Sequence, residues 1–162
     1  MRSASHAIIA LTGMLVACGD GGTAPEVSSP LALSIATATR ISISDSAVLT
    51  MSLKNNSASA YAARLPGSLE WPHFRVLVRN ETGDTLWFHP GGVLPLLSDK
   101  TFAPQESVQM TVVWPLKNRT GAPVDAGTYR VSATIETFES DLERPVVVRS
   151  DEIRIVVANN LR

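Results

Sequence analysis

The segment Asp125-Ala-Gly-Thr-Tyr-Arg-Val-Ser-Ala-Thr-Ile135 decides the fold that we predict for this chain. Its first three residues favour a turn, in which Gly127 is free to take a positive φ. From Tyr129 onward apolar residues alternate with polar ones, which is typical of a strand with one buried and one wet face. A tyrosine just after such a turn is where antiparallel sandwiches place a corner tyrosine, whose hydroxyl bonds to nearby backbone. The alternative is a half-buried strand aromatic.

Similar alternating segments recur along the chain after residue 30, and no apolar stripe with a helical period occurs there. We predict strands at residues 31–36, 47–54, 61–65, 74–79, 85–88, 108–114, 129–135, 145–149 and 152–158. Residues 40–44 are expected to continue the first strand after a kink, and residues 89–100 to be the longest irregular segment. The last two strands are expected to form a hairpin around Ser150-Asp151. About seven to nine short strands with regular turn signals predict an all-β, antiparallel immunoglobulin-like β-sandwich.

The N-terminal region is predicted to be a leader rather than part of the fold. A short apolar run, Ala7 to Ala17, suits a secretory signal. Leu15-Val-Ala-Cys18, followed by Gly-Asp-Gly-Gly, resembles the lipobox of bacterial lipoproteins. The resemblance implies cleavage before Cys18 and attachment of lipid to the thiol of this single cysteine; the alternative is an ordinary cysteine in a cleaved leader.

This interpretation divides the chain into three parts. Residues 1–17 are a signal peptide, residues 18–30 a flexible tether, and residues 31–158 the sandwich domain. It places the protein in the cell envelope, anchored to a membrane by lipid, at the outer membrane or the periplasmic face rather than in the cytoplasm.

Composition and motifs argue against several classes of function. The chain has 14 Lys and Arg against 15 Asp and Glu, a formal net charge of −1, and its charges are interspersed along the sequence. It therefore lacks the basic stripe of a nucleic-acid-binding protein. Only His73 and His89 follow the leader, neither at metal-site spacing, so we expect solvent-facing loop histidines. With no nucleophile elbow or phosphate loop either, we predict a protein that is not an enzyme, without catalytic residues, metal or cofactor.

Two smaller sets of residues have alternative interpretations. The Asn-x-Ser/Thr triplets at Asn55, Asn80 and Asn118 fall in predicted turns, where asparagine is favoured. The tryptophans could form a platform for stacking sugars or binding a peptide. Because Trp114 and Trp87 lie in predicted strands, we favour core packing for both. The third, Trp71, precedes a proline and is the one that we expect to be exposed.

A series of short motifs between residues 49 and 137 points to a known family. They are Leu49-x-Met-x-Leu-x-Asn-x-Ser57, Phe74-x-Val-x-Val-x-Asn80, Gly83-Asp-x-Leu-Trp87, Phe102-Ala-Pro-Gln-Glu-Ser107 and Ala126-Gly-Thr-Tyr-x-Val131. In order and spacing the series resembles the BsuPI-type intracellular proteinase inhibitor domain, an immunoglobulin-like module. Two departures stand out: Gln105 replaces the usual glycine of a turn, and Phe88-His-Pro-Gly-Gly92 replaces an aromatic motif. The resemblance therefore implies the fold more directly than the activity.

We accordingly expect a non-enzymatic domain that binds another protein, with proteinase inhibition as the activity that the resemblance implies. The predicted partner-binding loop contains Val93, Leu94, Leu96 and Leu97, apolar residues in a polar segment. The alternative is that these side chains cap the open end of the sandwich. Two further hypotheses are a structural accessory of the envelope that joins an assembly through a free sheet edge, and a carbohydrate-binding module that uses Trp71.

Overall fold

A computed structural model describes residues 29–68, 72–90, 96–139 and 145–159 of the chain. These residues form eleven strands, and their bounds are as follows: β1 Leu31–Ala36, β2 Arg40–Ser42, β3 Ala47–Asn55, β4 Tyr61–Pro66, β5 Arg75–Arg79, β6 Thr85–His89, β7 Leu97–Phe102, β8 Ser107–Trp114, β9 Gly127–Thr137, β10 Val146–Arg149 and β11 Ile153–Ala158. The fold is all-β, as predicted.

The strands form two main sheets and one smaller pair. The small sheet has the order β1-β3-β8, and the large sheet has the order β2-β11-β9-β5-β6, with β10 also paired to β9. Strands β4 and β7 form a separate ribbon. All pairs are antiparallel except β2 with β11, which is parallel. Apolar side chains from the three sheets form one core, which confirms the predicted antiparallel β-sandwich.

Strand β9 is the centre of the large sheet, as its alternation predicted. Val131, Ala133 and Ile135 are buried, and β5 lies on one side of the strand with β10 and β11 on the other. The Tyr129 hydroxyl donates to the Asp125 carbonyl at 2.6 Å, so the corner tyrosine is confirmed. One detail of this segment differs from expectation: the glycine that opens β9 does not take a positive φ.

The expected C-terminal hairpin is wrong, because β10 and β11 do not pair with each other. Both pair with β9, β10 along residues 134–137 and β11 along residues 127–131. The Ser150 N–H donates to the Ala133 carbonyl, and the Ala133 N–H donates to Ser150 Oγ, each at 2.9 Å. Strands β10 and β11 therefore lie one after the other along the same edge of the 11-residue strand β9, and Ser150 keeps the hydrogen bonding continuous at the irregularity between them.

The strand count also exceeds the predicted seven to nine, chiefly because β7 occupies a segment that was expected to be irregular. Its side chains are polar or exposed except for Phe102, so it lacks the alternation that identifies a strand from sequence. Pairing with β4 creates it instead, helped by an ion pair between the facing residues Arg64 and Asp99, 2.7 Å apart. Residues 40–42 are likewise a separate strand, in the other sheet from β1.

Asn55 is a fully buried polar residue at the end of β3. Its Nδ2 donates to three carbonyl oxygens, those of Ser59 at 2.8 Å, Phe102 at 3.2 Å and Ala103 at 3.3 Å. Its Oδ1 accepts from the N–H and the hydroxyl of Ser57, at 2.9 and 2.8 Å. One side chain thus ties the end of β3 to the turn between β7 and β8, where backbone groups would otherwise be buried without partners.

The other two Asn-x-Ser/Thr triplets organise turns in the same manner, as predicted. Asn80 Oδ1 accepts from the Thr82 hydroxyl at 2.8 Å and from the Asp84 N–H at 2.7 Å. Asn118 Oδ1 accepts from the N–H of Thr120 at 3.0 Å and from its hydroxyl at 2.8 Å. In every triplet the asparagine oxygen accepts from the residue two positions on, from its N–H in the Asx turns at Asn55 and Asn118 and from its hydroxyl at Asn80.

Candidate protein-binding surfaces

Strand β8 is an open edge of the small sheet. Its sequence, Ser107-Val-Gln-Met-Thr-Val-Val-Trp114, contains no charged residue, proline or glycine. It pairs with β3 in unbroken register along its whole length, and within the described residues no strand pairs with its other side. An edge of this kind exposes a row of backbone donors and acceptors that another strand can use.

The pattern of hydrogen bonds between β3 and β8 shows which residues of β8 direct their backbone N–H and C=O groups to the open side. The Asn55 N–H donates to the Glu106 carbonyl at 3.0 Å, which marks that pair as hydrogen-bonded. Because hydrogen-bonded and non-hydrogen-bonded pairs alternate in an antiparallel ladder, the even-numbered residues of β8 direct their backbone groups toward β3. The odd-numbered residues therefore direct theirs to the open side: Ser107, Gln109, Thr111 and Val113.

The side chains beside this edge are also suited to contact with another protein. Val48 and Val113 face each other across β3 and β8 on the outer face and are 52% and 53% exposed. On the inner face Val108 and Met110 pack only partly against the core. A strand added to β8 would cover apolar surface on both faces.

Other sheet edges in the described part of the chain carry features that discourage strand addition. Strand β7 has the charged residues Asp99 and Lys100, β2 has three residues, and β6 has five with a register irregularity beside it. The opposite edge of the small sheet, β1, is also uncharged but shorter, and it runs beside β9 and β10. Short length, charge and irregularity are the usual protections of natural edges, and β8 has none of them.

Leu96 and Leu97 are the residues of the predicted partner-binding loop that the structure describes, and they border a surface cleft of about 320 Å³. Leu96 is 52% exposed, and its carbonyl accepts a hydrogen bond from the Gly67 N–H at 2.8 Å. Leu97 begins β7 and faces Pro66 of β4. The cleft also contains His73, with further lining from the ends of β5 and β9. An exposed leucine is thus held on a fixed backbone at the rim of a cleft.

The two histidines lie at this end of the β5–β6 pair, and the expectation of solvent-facing loop residues is wrong. His89 is the last residue of β6, faces Val76, and stacks on Trp87 with ring centroids 6.5 Å apart. Burial lowers the pKa of His89, and the positive charge of His73 lowers it further. His73 Nδ1 is buried, and no described residue bonds to it. His73 therefore lies close enough to His89 to disfavour the protonation of His89.

Two of the three tryptophans pack in the interior, as predicted. Trp114 is fully buried, its Nε1–H donates to the Lys117 carbonyl at 2.9 Å, and its ring meets Tyr129 edge-on at 5.4 Å. Trp87 packs against Trp114 at 6.4 Å. Core packing therefore accounts for the whole of the Trp114 ring and for the buried part of Trp87.

Four of the predicted site residues lie outside the described residues and stay predictions: the lipid-attachment residue Cys18, the exposed aromatic Trp71, and Val93 and Leu94 of the loop. Among the residues that are described, no group of three or more His, Cys, Asp or Glu side chains could hold a metal ion. The same part of the chain contains no helix with the length and apolar character required to span a bilayer.

No protein-family model and no curated protein matches this sequence, so the resemblance to the proteinase inhibitor domain stays a prediction. One similar solved structure is the CARDB domain of the PF1109 protein from Pyrococcus furiosus, with 15% sequence identity and a TM-score of 0.43. The match covers 79% of this chain and 87% of the CARDB chain. The putative ApaA protein from Bordetella pertussis has 15% identity and a TM-score of 0.48, covering 81% of this chain and 98% of that one.

A third similar structure, a beta-glucosidase from Listeria innocua, has 17% identity and a TM-score of 0.38, and the match covers 78% of this chain but 16% of the enzyme. None of these TM-scores reaches 0.5. The assignment of the fold therefore rests on the strand pairing of this chain.

Sequence reasoning did not identify β8 as the open edge, although it located the strand. The signal available in the sequence is the absence of charge over eight residues. That signal alone also fits a central strand, since the two differ only in long-range pairing.

Proposed function

We propose that this chain is a non-enzymatic, lipid-anchored domain of the cell envelope that binds a protein partner by accepting one of its strands at β8. The observation that supports this function is the unprotected outer edge of β8, with eight uncharged residues in unbroken register. Strand addition uses main-chain hydrogen bonds for affinity and side-chain contacts on both faces for specificity.

Backbone pairing alone gives modest affinity. Each main-chain hydrogen bond contributes about 1 kcal/mol net, while association costs at least about 4 kcal/mol of lost freedom. The side chains that flank the edge must therefore contribute: Val48 and Val113 on the outer face, Val108 and Met110 on the inner one. A matching partner strand is expected to carry apolar residues on both of its faces.

The test uses proline to block the edge without breaking the pairing with β3. Thr111 directs its N–H outward, so Thr111→Pro removes an edge donor and places a ring in the path of an added strand. A photo-crosslinking residue at Gln109, introduced in the producing bacterium, should capture a partner protein in the wild-type background. Thr111→Pro should abolish that crosslink, and Thr111→Ser, which keeps the N–H, should retain it. Loss of folding is checked by thermal denaturation of the proline variant.

A crosslinked partner that persists with Thr111→Pro would contradict strand addition, as would the absence of any crosslink at Gln109. A probe at Thr120, in the exposed turn beyond the end of β8, is the matched control for random capture.

Proteinase inhibition is a second candidate, favoured by the exposed Leu96 on a fixed backbone at the rim of the cleft. An inhibitor needs an exposed segment that is already ordered, because ordering on binding would reduce affinity. Titration of the purified protein against a panel of serine proteases tests this. Inhibition at micromolar concentrations that falls at least tenfold with Leu96→Asp would support it, and equal inhibition by the variant would exclude this residue.

The lipid anchor rests on the lipobox resemblance around Cys18. Mass spectrometry of the mature N-terminus should show a chain that begins at an acylated Cys18, and Cys18→Ser should release the protein from the membrane fraction. A mature chain that retains residues 1–17, or that lacks Cys18, would contradict the anchor.

A further inference from the structure

The outer face of the large sheet gathers arginines from distant parts of the chain. Arg79, Arg130 and Arg154 lie directly opposite one another on β5, β9 and β11. Adjacent strands are about 4.8 Å apart, so these three residues form a continuous row about 10 Å long. The alternation of each strand directs all three side chains away from the core.

A second row lies four residues further along the sheet. Arg75 and Arg149 both face Thr134 of β9, one from each side. Since a strand rises about 3.3 Å per residue, the two rows are about 13 Å apart. Arg40 of β2 faces Val156 and extends the same surface beyond the first row. We name this surface the arginine face and define it by six residues: Arg40, Arg75, Arg79, Arg130, Arg149 and Arg154.

The ion pairs that the described residues make on this face are few and long. Glu152 serves two arginines, Arg130 at 3.8 Å and Arg79 at 4.0 Å, and Glu136 lies 3.4 Å from Arg75. Like charges that face each other across strands are unfavourable, so the row of arginines does not serve the fold. The whole chain has a formal net charge of −1, yet this one face is strongly positive. The excess of cationic groups is therefore suited to an anionic ligand.

Exposed apolar side chains are interspersed among the arginines. Phe88, Val147 and Val156 are 41%, 42% and 40% exposed and project from the same side of the sheet. Phe88 faces Leu77 and lies under the guanidinium of Arg119 at 5.1 Å. A surface that combines long cationic side chains with aromatic and aliphatic groups has the chemistry of a membrane-surface contact.

We propose that the arginine face binds the anionic headgroups of a lipid bilayer. A bilayer fits this face better than a soluble polyanion does, because exposed apolar side chains lie among the arginines and can enter the headgroup region. The exposed apolar side chains, Phe88 between the two rows and Val147 and Val156 beyond them, would enter the headgroup region beside the arginines. This inference does not depend on the partner edge or on the lipid anchor, since it concerns residues of the opposite sheet.

Vesicle binding of the intact chain tests the proposal. Vesicles of phosphatidylcholine with about one-third phosphatidylglycerol are compared with pure phosphatidylcholine, so that any contribution of the N-terminal region is present in both. Each arginine near an anionic surface is worth about fivefold in binding. The combined variant Arg79→Gln, Arg130→Gln, Arg154→Gln should therefore reduce the preference for anionic vesicles by on the order of 100-fold.

Two control variants separate charge position from charge number. Lys54→Gln, Arg64→Gln, Lys117→Gln removes three positive charges from outside the face and should change the preference much less. Replacing the first-row arginines by lysine keeps the charge and should keep most of the preference. Thermal denaturation of each variant confirms that it is folded.

Equal binding of the wild type to the two kinds of vesicle would overturn the proposal. Equal losses in the two glutamine variants would overturn it as well. Binding to soluble heparin that depends on the first-row arginines, without a preference for anionic vesicles, would assign the face to a soluble polyanion instead.

Discussion

Replacing Asn55 by aspartate provides a sharp test of the buried connection between β3 and the β7–β8 turn. The substitution keeps the size and shape of the side chain and preserves the oxygen that accepts from Ser57. It exchanges the amide nitrogen for an oxygen, which then lies about where Nδ2 now contacts three carbonyl oxygens at 2.8 to 3.3 Å. Where the amide nitrogen donates hydrogen bonds to these carbonyl oxygens, the carboxylate oxygen is repelled by them, and the side chain is fully buried from water.

The size of the effect follows from these contacts. Losing the donated hydrogen bonds costs about 1 kcal/mol each, and the uncompensated charge in a buried site adds to that, for a total of roughly 3–5 kcal/mol at neutral pH. A small domain has a total stability of about 5–15 kcal/mol. The variant is therefore expected to melt on the order of 10–20 °C below the wild type.

The loss should also depend on pH in a defined direction. Burial and the facing carbonyls raise the pKa of the new carboxyl in the folded state above its unfolded value of about 4. Below that value the group is neutral in both states and can donate one hydrogen bond, so the deficit is smallest there. The deficit grows as the pH rises from about 4 toward the raised folded pKa and is constant above it.

Urea denaturation of wild type and variant between pH 3.5 and 8 measures both quantities. Asn118→Asp is the matched control, because the described hydrogen bonds of that side chain are all accepted by Oδ1, which a carboxylate retains. It should change stability by less than about 0.5 kcal/mol. If Asn55→Asp costs no more than Asn118→Asp, or if its deficit is independent of pH, the account of this buried amide is wrong.

Substitutions at Gln105, Tyr129 and His89 each change one local feature of the fold. Gln105 has a φ of 65°, which strains any residue except glycine, so Gln105→Gly should raise stability by about 0.5–1 kcal/mol in thermal denaturation. Leu116 has a φ of 53° but is buried, so Leu116→Gly should lower stability. Equal effects of the two substitutions on stability would refute the strain argument. Tyr129→Phe should cost about 1–2 kcal/mol in urea through loss of the bond to the Asp125 carbonyl, and an unchanged midpoint would remove the corner from the list of stabilising contacts. His89 has a lowered pKa in the folded state, so its contribution to stability is present above the unfolded pKa of about 6.5 and is lost as the pH falls through the lower folded pKa. Between pH 7.5 and 5 the stability of His89→Gln should therefore change less than that of the wild type. Parallel curves of stability against pH for the two proteins would contradict this.

The parts of the fold that sequence predicted are those fixed by local pattern. The alternation after Asp125 identified β9 and its buried face, and the position of Tyr129 after a turn identified the corner. The asparagine triplets gave turns for a local reason too, since each side chain bonds to backbone or hydroxyl groups two to four residues on.

The parts that sequence missed depend on which strands become neighbours. Strand β7 has no apolar alternation and exists because β4 pairs with it. The Ser150-Asp151 turn signal fits a hairpin as well as a bridged irregularity, and only the length of β9 decides between them. His73 and His89 are 16 positions apart in the chain and interact only because β5 and β6 pair. Site prediction was limited for the same reason, since the arginine face collects residues from position 40 to position 154.

The two proposed surfaces belong to different sheets, and this has a consequence for how they act together. A strand added at β8 extends the small sheet sideways, whereas the arginine face is the outer surface of the large sheet. Packed sheets are about 10 Å apart, so the residues of the two surfaces share no contacts, and changes at such distances combine additively. A protein with Thr111→Pro and the three first-row glutamine substitutions should therefore lose partner capture and vesicle preference to the same extent as the separate variants. A domain that binds a bilayer through one sheet can then hold a partner strand on the other. Coupling of more than about 0.5 kcal/mol between the two sets of changes would mean that a shared ligand joins the surfaces.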